Sequence, residues 1–445
     1  MRLLMLAGLL CAPALLHAQT PLNAPPLSSA DPRPISLEEA VTLAQRNAPQ
    51  TVQARGQLRT SSAQIRRAYA AFLPSLSFST NSGYSEGVQY IQGELVPLRG
   101  DPWSFSNGFN ANLQIWDGGA RFRNLDRDKA NERVAEANEI TQLFNVALSV
   151  KQQYYAVLAA RESEAAAQVQ REQAMQNMRV ATARVVAGAA TKSDSLRSAI
   201  EVRNAEIAIL NARTQLQNAN AFLTRLTGQE TLVTATPGDT LEPIVLNADS
   251  VELAAIADRA PVVLQAQSSL TAARASRRAS RATYWPTLSM SGRYSANQSS
   301  RQFQTGNVWL IGRDNPNSRG VSFSLSYPLF DQLQRETAVV QANIAEDNAE
   351  AQLRDAELAA QQTLVQALGA FRLAEARIEL QQASVEAATE DLRVQQQRYE
   401  LGAGTLLDVL TSQTTLNNAR LALIQARQDA RVAKAQIEAL VGRDL

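Results

Sequence analysis

One cysteine and one histidine occur in the 445-residue chain, Cys11 and His17, and both fall within the first 18 residues. That stretch reads as a secretory signal peptide, residues 1–18. Arg2 supplies the charged start, Leu3 to Leu16 the apolar run and Ala18 the small residue before the cut. A lipoprotein signal around Cys11 competes with this, but Leu10 stands where a small residue is required. Removal of the segment takes with it thiolate nucleophiles, disulfides, imidazole metal ligands and Ser-His-type triads. The formal charge of +1 falls to about zero without Arg2, leaving no electrostatic case for nucleic-acid binding.

Carboxylates are then the main groups left for a site. No pair of them stands out as the acid and base of a hydrolase, but two recur in a fixed setting. Gly188-Ala189-Ala190-Thr191-Lys192-Ser193-Asp194 and Gly402-Ala403-Gly404-Thr405-Leu406-Leu407-Asp408 match at an offset of 214 residues, and the match runs without a gap from Gly188 to Gly228 against Gly402 to Gly442. Half of the protein repeats the other half. In each motif Thr fits a helix N-cap and Asp the third helical position, where a carboxylate closes a capping box and meets the positive end of the helix dipole. Capping can be their whole role, or can coexist with another.

The elements that carry these turns follow from composition and period. Ala and Leu dominate the apolar residues and aromatics make up only 5%, a long-helix or coiled-coil composition. No mature segment reaches the roughly 20 apolar residues of a spanning helix. The chain is therefore either a soluble exported protein or one that crosses a membrane as β-strands. Residues 19–34 form a Pro-rich N-terminal segment, expected to be extended. Ser36 and Glu39 make a capping-box start for a short helix, and Pro49 opens a second that Pro74 stops.

At Pro74 the period changes from 3.6 to 2. Leu76, Phe78 and Thr80 alternate with Ser75, Ser77 and Ser79; Trp103, Phe105, Phe109, Ala111, Leu113 and Ile115 alternate with Ser, Asn and Gln. The second half does the same from Leu288 to Tyr294 and from Val321 to Tyr327. Each repeat thus inserts one β-hairpin, about 75–116 and about 287–330. All four tryptophans, Trp103, Trp116, Trp285 and Trp309, lie in or beside these hairpins, as expected of membrane-interface residues. A packed β core is the competing explanation. Four strands cannot close a barrel and lipid does not tolerate open edges, so the membrane reading demands an oligomer.

From Asp117 to Ala187, and from Asp331 to Leu401, the chain has no Pro and almost no Gly. Each stretch predicts a helix of about 100 Å. Leu364, Ala367, Phe371, Ala374, Ile378, Val385, Ala388, Leu392 and Tyr399 keep heptad spacing. The two shorter helices of a repeat are expected to stack end to end beside its long one, forming a rod with the hairpin at one end and the Gly turns at the other. The domains are residues 35–228 and 250–445, joined by a linker at 229–249.

The duplicated plan, the Leu-Pro-Ser-Leu and Trp-Pro-Thr-Leu starts of the strands, and the Gly-Ala-x-Thr-x-x-Asp turns resemble the TolC-like outer-membrane efflux proteins, from Ile35 to Leu445. The resemblance implies a mainly α fold with a membrane β-barrel portion: four strands per chain, a homotrimer closing twelve, and a periplasmic tunnel of coiled helices. It implies the outer-membrane channel of a tripartite efflux or type I secretion system. Such a channel partners a periplasmic adaptor and an inner-membrane pump of RND or ABC type, and has no cofactor and no enzymatic activity. By resemblance the turns lie at the periplasmic gate. Asp408 falls on a pore-facing acidic position, and Tyr399, Ser193 and Asp194 on positions whose polar contacts hold the closed state. The chain departs from the family pattern at Thr411, often a second Asp, and at Gly404, sometimes basic. A periplasmic adaptor or a structural coiled-coil protein is the alternative, but leaves the duplication or the alternating strands without a role.

Overall fold

The computed structural model describes residues 32–443 other than 85, 87, 92–93, 98, 101–102, 242–258, 299–300, 306–307 and 312–316. The signal peptide, Cys11 and His17 lie outside the described residues, as does most of the Pro-rich segment. That segment's end is ordered into a short strand, β1 (Arg33–Ile35). Helix α1 (Leu37–Asn47) follows, with Ser36 Oγ accepting from the Glu39 N–H at 3.2 Å. Only half of the expected capping box forms, because the Glu39 carboxylate turns to Arg33 instead, at 2.7 Å.

Helix α2 (Pro49–Ala70) leads into β2 (Ser75–Tyr84), which pairs antiparallel with β6 (Trp103–Trp116). The connection between them carries three short strands: β3 (Val88–Ile91), β4 (Glu94–Pro97) and β5 (Arg99–Gly100). Helix α3 (Ala120–Val186) then runs 67 residues, and α4 (Lys192–Thr227) returns along it. Strand β7 (Val233–Ala235) lies inside the expected linker and pairs in parallel with β1.

The second repeat follows the same plan. Helix α5 (Pro261–Ser280) ends in a 3-10 turn, Arg281–Tyr284, before β8 (Thr287–Gln298). Strands β9 (Arg301–Thr305) and β10 (Val308–Ile311) precede β11 (Asn317–Ser326), which pairs with β8. Helices α6 (Gln334–Glu400) and α7 (Leu406–Val441) complete the chain.

Helix α3 packs against α2 and α4 on one flank and against α5 and α7 on the other; α6 packs against α5 and α7. The helices therefore form four columns in the order α2 with α4, α3, α5 with α7, α6. The stacked pairs arise because α2 and α4 together have about the length of α3. The heptad residues fill the contacts. Leu364, Phe371, Ile378, Leu392 and Tyr399 of α6 are buried, as are Leu416, Ala426, Ala430, Ala433 and Ile437 of α7.

Halfway along α3, Val150, Tyr154, Val157 and Leu158 pack with α1, β1 and β7 into the largest apolar cluster. The Tyr154 hydroxyl donates to Asp239 and lies 3.1 Å from Ile35 O, and the Thr236 N–H donates to it at 3.2 Å. Burial, reinforced by the Asp239 carboxylate, pushes this phenol up to about 12. Arg161, also on α3, donates to Ala235 O at 3.5 Å and to Thr236 O at 2.9 Å, so side chains of α3 satisfy polar atoms that the two short strands bring into the core.

The four long strands form one antiparallel sheet in the order β2-β6-β8-β11. Register sets one row of side chains to each face. Leu76, Ala111, Gly292 and Val321 align across the sheet, as do Phe78, Phe109, Tyr294 and Arg319; on the other face Ser75, Asn112, Ser291 and Ser322 align. A bulge at Ile115 brings Trp116 opposite Leu288, a shift that alternation along one strand does not reveal.

Candidate functional site

The two Gly turns have nearly the same local geometry. Gly188 and Gly402 have φ of +74° and +78°, a region open to glycine at little cost, which lets each long helix end within one residue. The Ala189 and Ala403 N–H groups donate back to Arg184 O and Arg398 O, each at 2.8 Å. Arg184 and Arg398, matched by the repeat, each reach forward to the carbonyl five residues on, Ala189 at 3.3 Å and Ala403 at 3.5 Å.

Both capping boxes are complete. The Thr191 N–H and hydroxyl donate to Asp194 Oδ2 at 3.0 and 2.9 Å, and the Thr405 N–H and hydroxyl donate to Asp408 Oδ2 at 3.0 and 2.8 Å. Hydrogen bonds from Thr405, first its backbone N–H and then its hydroxyl, hold the Asp408 carboxyl below its ordinary range, and Arg398 adds to this. Asp408 and Ser193 are exposed and Asp194 is half-buried. The second oxygen of Asp408, Oδ1, takes no part in the box.

Tyr399 is buried in the last turn of α6, among Leu392, Leu406 and Val409. Its hydroxyl has no hydrogen-bond partner among the described residues. Burial raises the phenol above its ordinary value, Arg184 opposes that and Asp194 adds to it. The Arg184 guanidinium covers the Tyr399 ring and reaches within 3.6 Å of the side-chain position of Gly402. The two turns of one chain therefore lie side by side, held by an arginine that sequence reasoning missed. Its recurrence as Arg398 was the available signal.

About three helical turns away from the Gly turns a polar layer crosses between repeats. Asn177 of α3 donates to Gln413 Oε1 of α7 at 2.8 Å, and Gln396 of α6 approaches Asn177 Oδ1 at 3.5 Å. Beside it the Ser412 hydroxyl donates to Asp391 at 2.5 Å and lowers that carboxyl. Farther along the same seam Lys151 meets Glu438 at 2.6 Å, both largely buried, with Lys434 at 3.7 Å from the same carboxylate.

At the other end of the helices, Trp116 and Trp285 flank the lower end of the sheet. Trp285 packs onto Gly118, whose Cβ would lie 2.2 Å from that of Trp285. Trp103 pairs with Tyr84 at the far end, the rings 5.4 Å apart. Trp309 is in β10, and its side chain lies outside the described residues. No helix of the described residues is long and apolar enough to cross a membrane. No group of three or more His, Cys, Asp or Glu among them could hold a metal.

The family model described as "Outer membrane efflux protein" matches the chain in two pieces, residues 40–229 and 253–443. The chain belongs to this outer membrane efflux protein family. It is 27% identical to the pyoverdine export outer membrane protein OpmQ of Pseudomonas aeruginosa over 73% of this chain and 67% of that one. It is 24% identical to the cobalt-zinc-cadmium resistance protein CzcC of Cupriavidus metallidurans, over 75% of this chain and 76% of the other. The solved structure of a membrane protein from Pseudomonas aeruginosa superposes with a TM-score of 0.76 at 20% identity, covering 91% of this chain and 93% of that chain. The protein is an outer-membrane efflux or secretion channel component, its helical columns periplasmic. Its family's members are channels that work with an adaptor and an inner-membrane pump.

Proposed function

We propose that three copies of the chain close into one passive duct: a twelve-stranded barrel in the outer membrane continued by a helical tunnel into the periplasm. One observation carries this: the open edges of the sheet and of the helical layer lie on the same two sides. Edge strand β2 continues from the edge column of α2 and α4, and edge strand β11 leads into the edge column α6. Exposed apolar stripes run along both columns, Leu196, Ile200, Ile207 and Leu210 on α4 and Leu358, Val365, Leu373 and Leu380 on α6. With four antiparallel strands per chain, β11 of one copy meets β2 of the next in antiparallel sense. A head-to-tail ring therefore closes without an edge. The exposed apolar face, Leu76 at 75% and Phe323 at 65%, then meets lipid, and the Ser-rich face lines water.

In this duct the Gly188 and Gly402 turns, with the Thr191 and Thr405 caps, gather at the periplasmic tip. Asp408 faces the pore as a ring of three carboxylates, and Ser193, Asp194 and Tyr399 contribute to the closed packing. Trp116 and Trp285 sit at the periplasmic interface of the membrane and Trp103 and Trp309 toward the outer one. A periplasmic adaptor clasps the tip and an RND or ABC pump supplies cargo and energy. Relatives named for pyoverdine export and for cobalt-zinc-cadmium resistance accord with a wall that passes what the pump selects. The test is the mass and conductance of the detergent-extracted protein. A trimer that conducts in planar bilayers is expected; a monomer recovered without detergent overturns the reading.

A further inference from the structure

We infer that Arg293 sets the charge preference of the duct within the membrane, three copies forming a cationic ring that favours anionic solutes over cationic ones. The inference rests on the barrel reading above. The face of the sheet assigned to water is almost free of charge. Across β2, β6, β8 and β11 its described positions are Ser, Thr, Asn, Gln or Gly, with Arg293 the one exception. Small neutral side chains suit a wide aqueous bore. A lone guanidinium on such a wall is unneutralised, since no described position on that face carries a carboxylate.

The side chain is placed, not loose. Arg293 lies on β8, an inner strand of the sheet, so pairing between copies does not alter its surroundings. Its Nε donates to Asn110 Oδ1 on β6 at 3.2 Å. Gly320 opposes it on β11, and nothing lies within 4 Å of where a Gly320 side chain would begin. The guanidinium therefore leans toward Asn110 and leaves open space on its other side. A structural role alone is the competing explanation, but Asn110 to Arg293 is a single exposed hydrogen bond, worth little in water. Arg319, on the neighbouring strand, points to the opposite face in the row of Phe78, Phe109 and Tyr294. It provides an internal control: the same charge at nearly the same height on the other side of the wall.

The reach of such a ring depends on salt. The screening length is about 30 Å at 0.01 M and about 3 Å at 1 M, so the ring spans a bore tens of ångströms wide only at low ionic strength. Reversal potentials across purified trimers in planar bilayers, in tenfold KCl gradients, read the effect directly. Arg293→Gln is expected to raise the potassium-to-chloride permeability ratio roughly twofold with tens of millimolar salt and to leave it nearly unchanged at molar salt. Arg293→Glu should move it further in the same direction, and Arg293→Lys should match the native protein. Arg319→Gln should produce no shift. Conducting trimers of Arg293→Gln with an unaltered ratio overturn the inference alone. An equal shift from Arg319→Gln overturns the assignment of faces. A native preparation that is trimeric yet never conducts removes the duct itself.

Discussion

The Arg184 guanidinium carbon lies 4.5 Å from the centroid of the Tyr399 ring, joining the end of the first long helix to the end of the second. A cation over an aromatic face at a partly desolvated site is worth about 1–2 kcal/mol. Arg184→Ala should lower the stability of the purified protein by about that much, read as a fall in melting temperature, and should raise the frequency of open events in single-channel records. Arg184→Lys should recover part of both.

Tyr399→Phe separates ring from hydroxyl. The buried hydroxyl has no partner among the described residues, and an unpaired buried hydroxyl costs about 1–3 kcal/mol. If the closed state needs only the ring, the variant should melt at or above the native temperature. A loss exceeding about 1 kcal/mol would place a partner for this hydroxyl on a neighbouring copy.

Asp408 caps a helix, and its proposed role as a pore charge can be separated from that. Its carboxyl is held below its ordinary value of 3.8 by Thr405. The capping contribution is therefore complete above that ordinary value and is lost as pH falls through the lower folded value. Block of the channel by a trivalent cation should persist from neutral pH down to about pH 4 and fade below it. Asp408→Asn keeps a side-chain acceptor for the cap and removes the charge, so it should weaken the block with little change in melting. Unchanged block in Asp408→Ala would take this residue out of the constriction.

The turns from strand into long helix carry a conformational cost in one repeat only. Gly118 and Gly119 take positive φ in the first, and Gln332 and Leu333 take it in the second, at 57° and 64°. Leu333→Gly should stabilise the protein by about 1 kcal/mol through relief of that backbone strain. Gly118→Ala should cost clearly more than Gly119→Ala, because only at Gly118 does the added carbon run into Trp285.

Lys151 and Glu438 form a largely buried ion pair between the repeats. Leaving a buried charge unpaired typically costs about 3–5 kcal/mol, but Lys434 stays near Glu438. Lys151→Met should therefore cost about 1–3 kcal/mol in thermal or denaturant unfolding, and adding Lys434→Met should cost more than the two effects summed.

Much of this architecture was legible in the sequence because it is periodic. Heptads placed Leu364, Phe371 and Ile378 in the helical core, and alternation put Leu76 and Ser77 on opposite faces of β2. Contacts between distant, unpatterned residues were not legible. Asn177 and Gln413 meet across 236 residues, and neither interrupts its helix in any way that marks it. Strands β1 and β7 are three residues each, too short for any period to show. At the tip, the repeat exposed Thr191, Asp194, Thr405 and Asp408, whereas Arg184 over Tyr399 has no counterpart in the other repeat, where position 185 is Val.

The seam between α3 and α7 bears on how such a tube can dilate. In the proposed trimer three duplicated chains make six similar staves, and sixfold resemblance invites the expectation of six equivalent joints. The joints are not equivalent. Within a chain they are pinned by Asn177 with Gln413 and Lys151 with Glu438, whereas the α4 and α6 flanks that the proposed ring would bring together offer exposed aliphatic stripes. Aliphatic surfaces can slide past one another where paired polar groups cannot. The staves are thus bound in twos, and widening of the tip would proceed at three joints, with threefold symmetry.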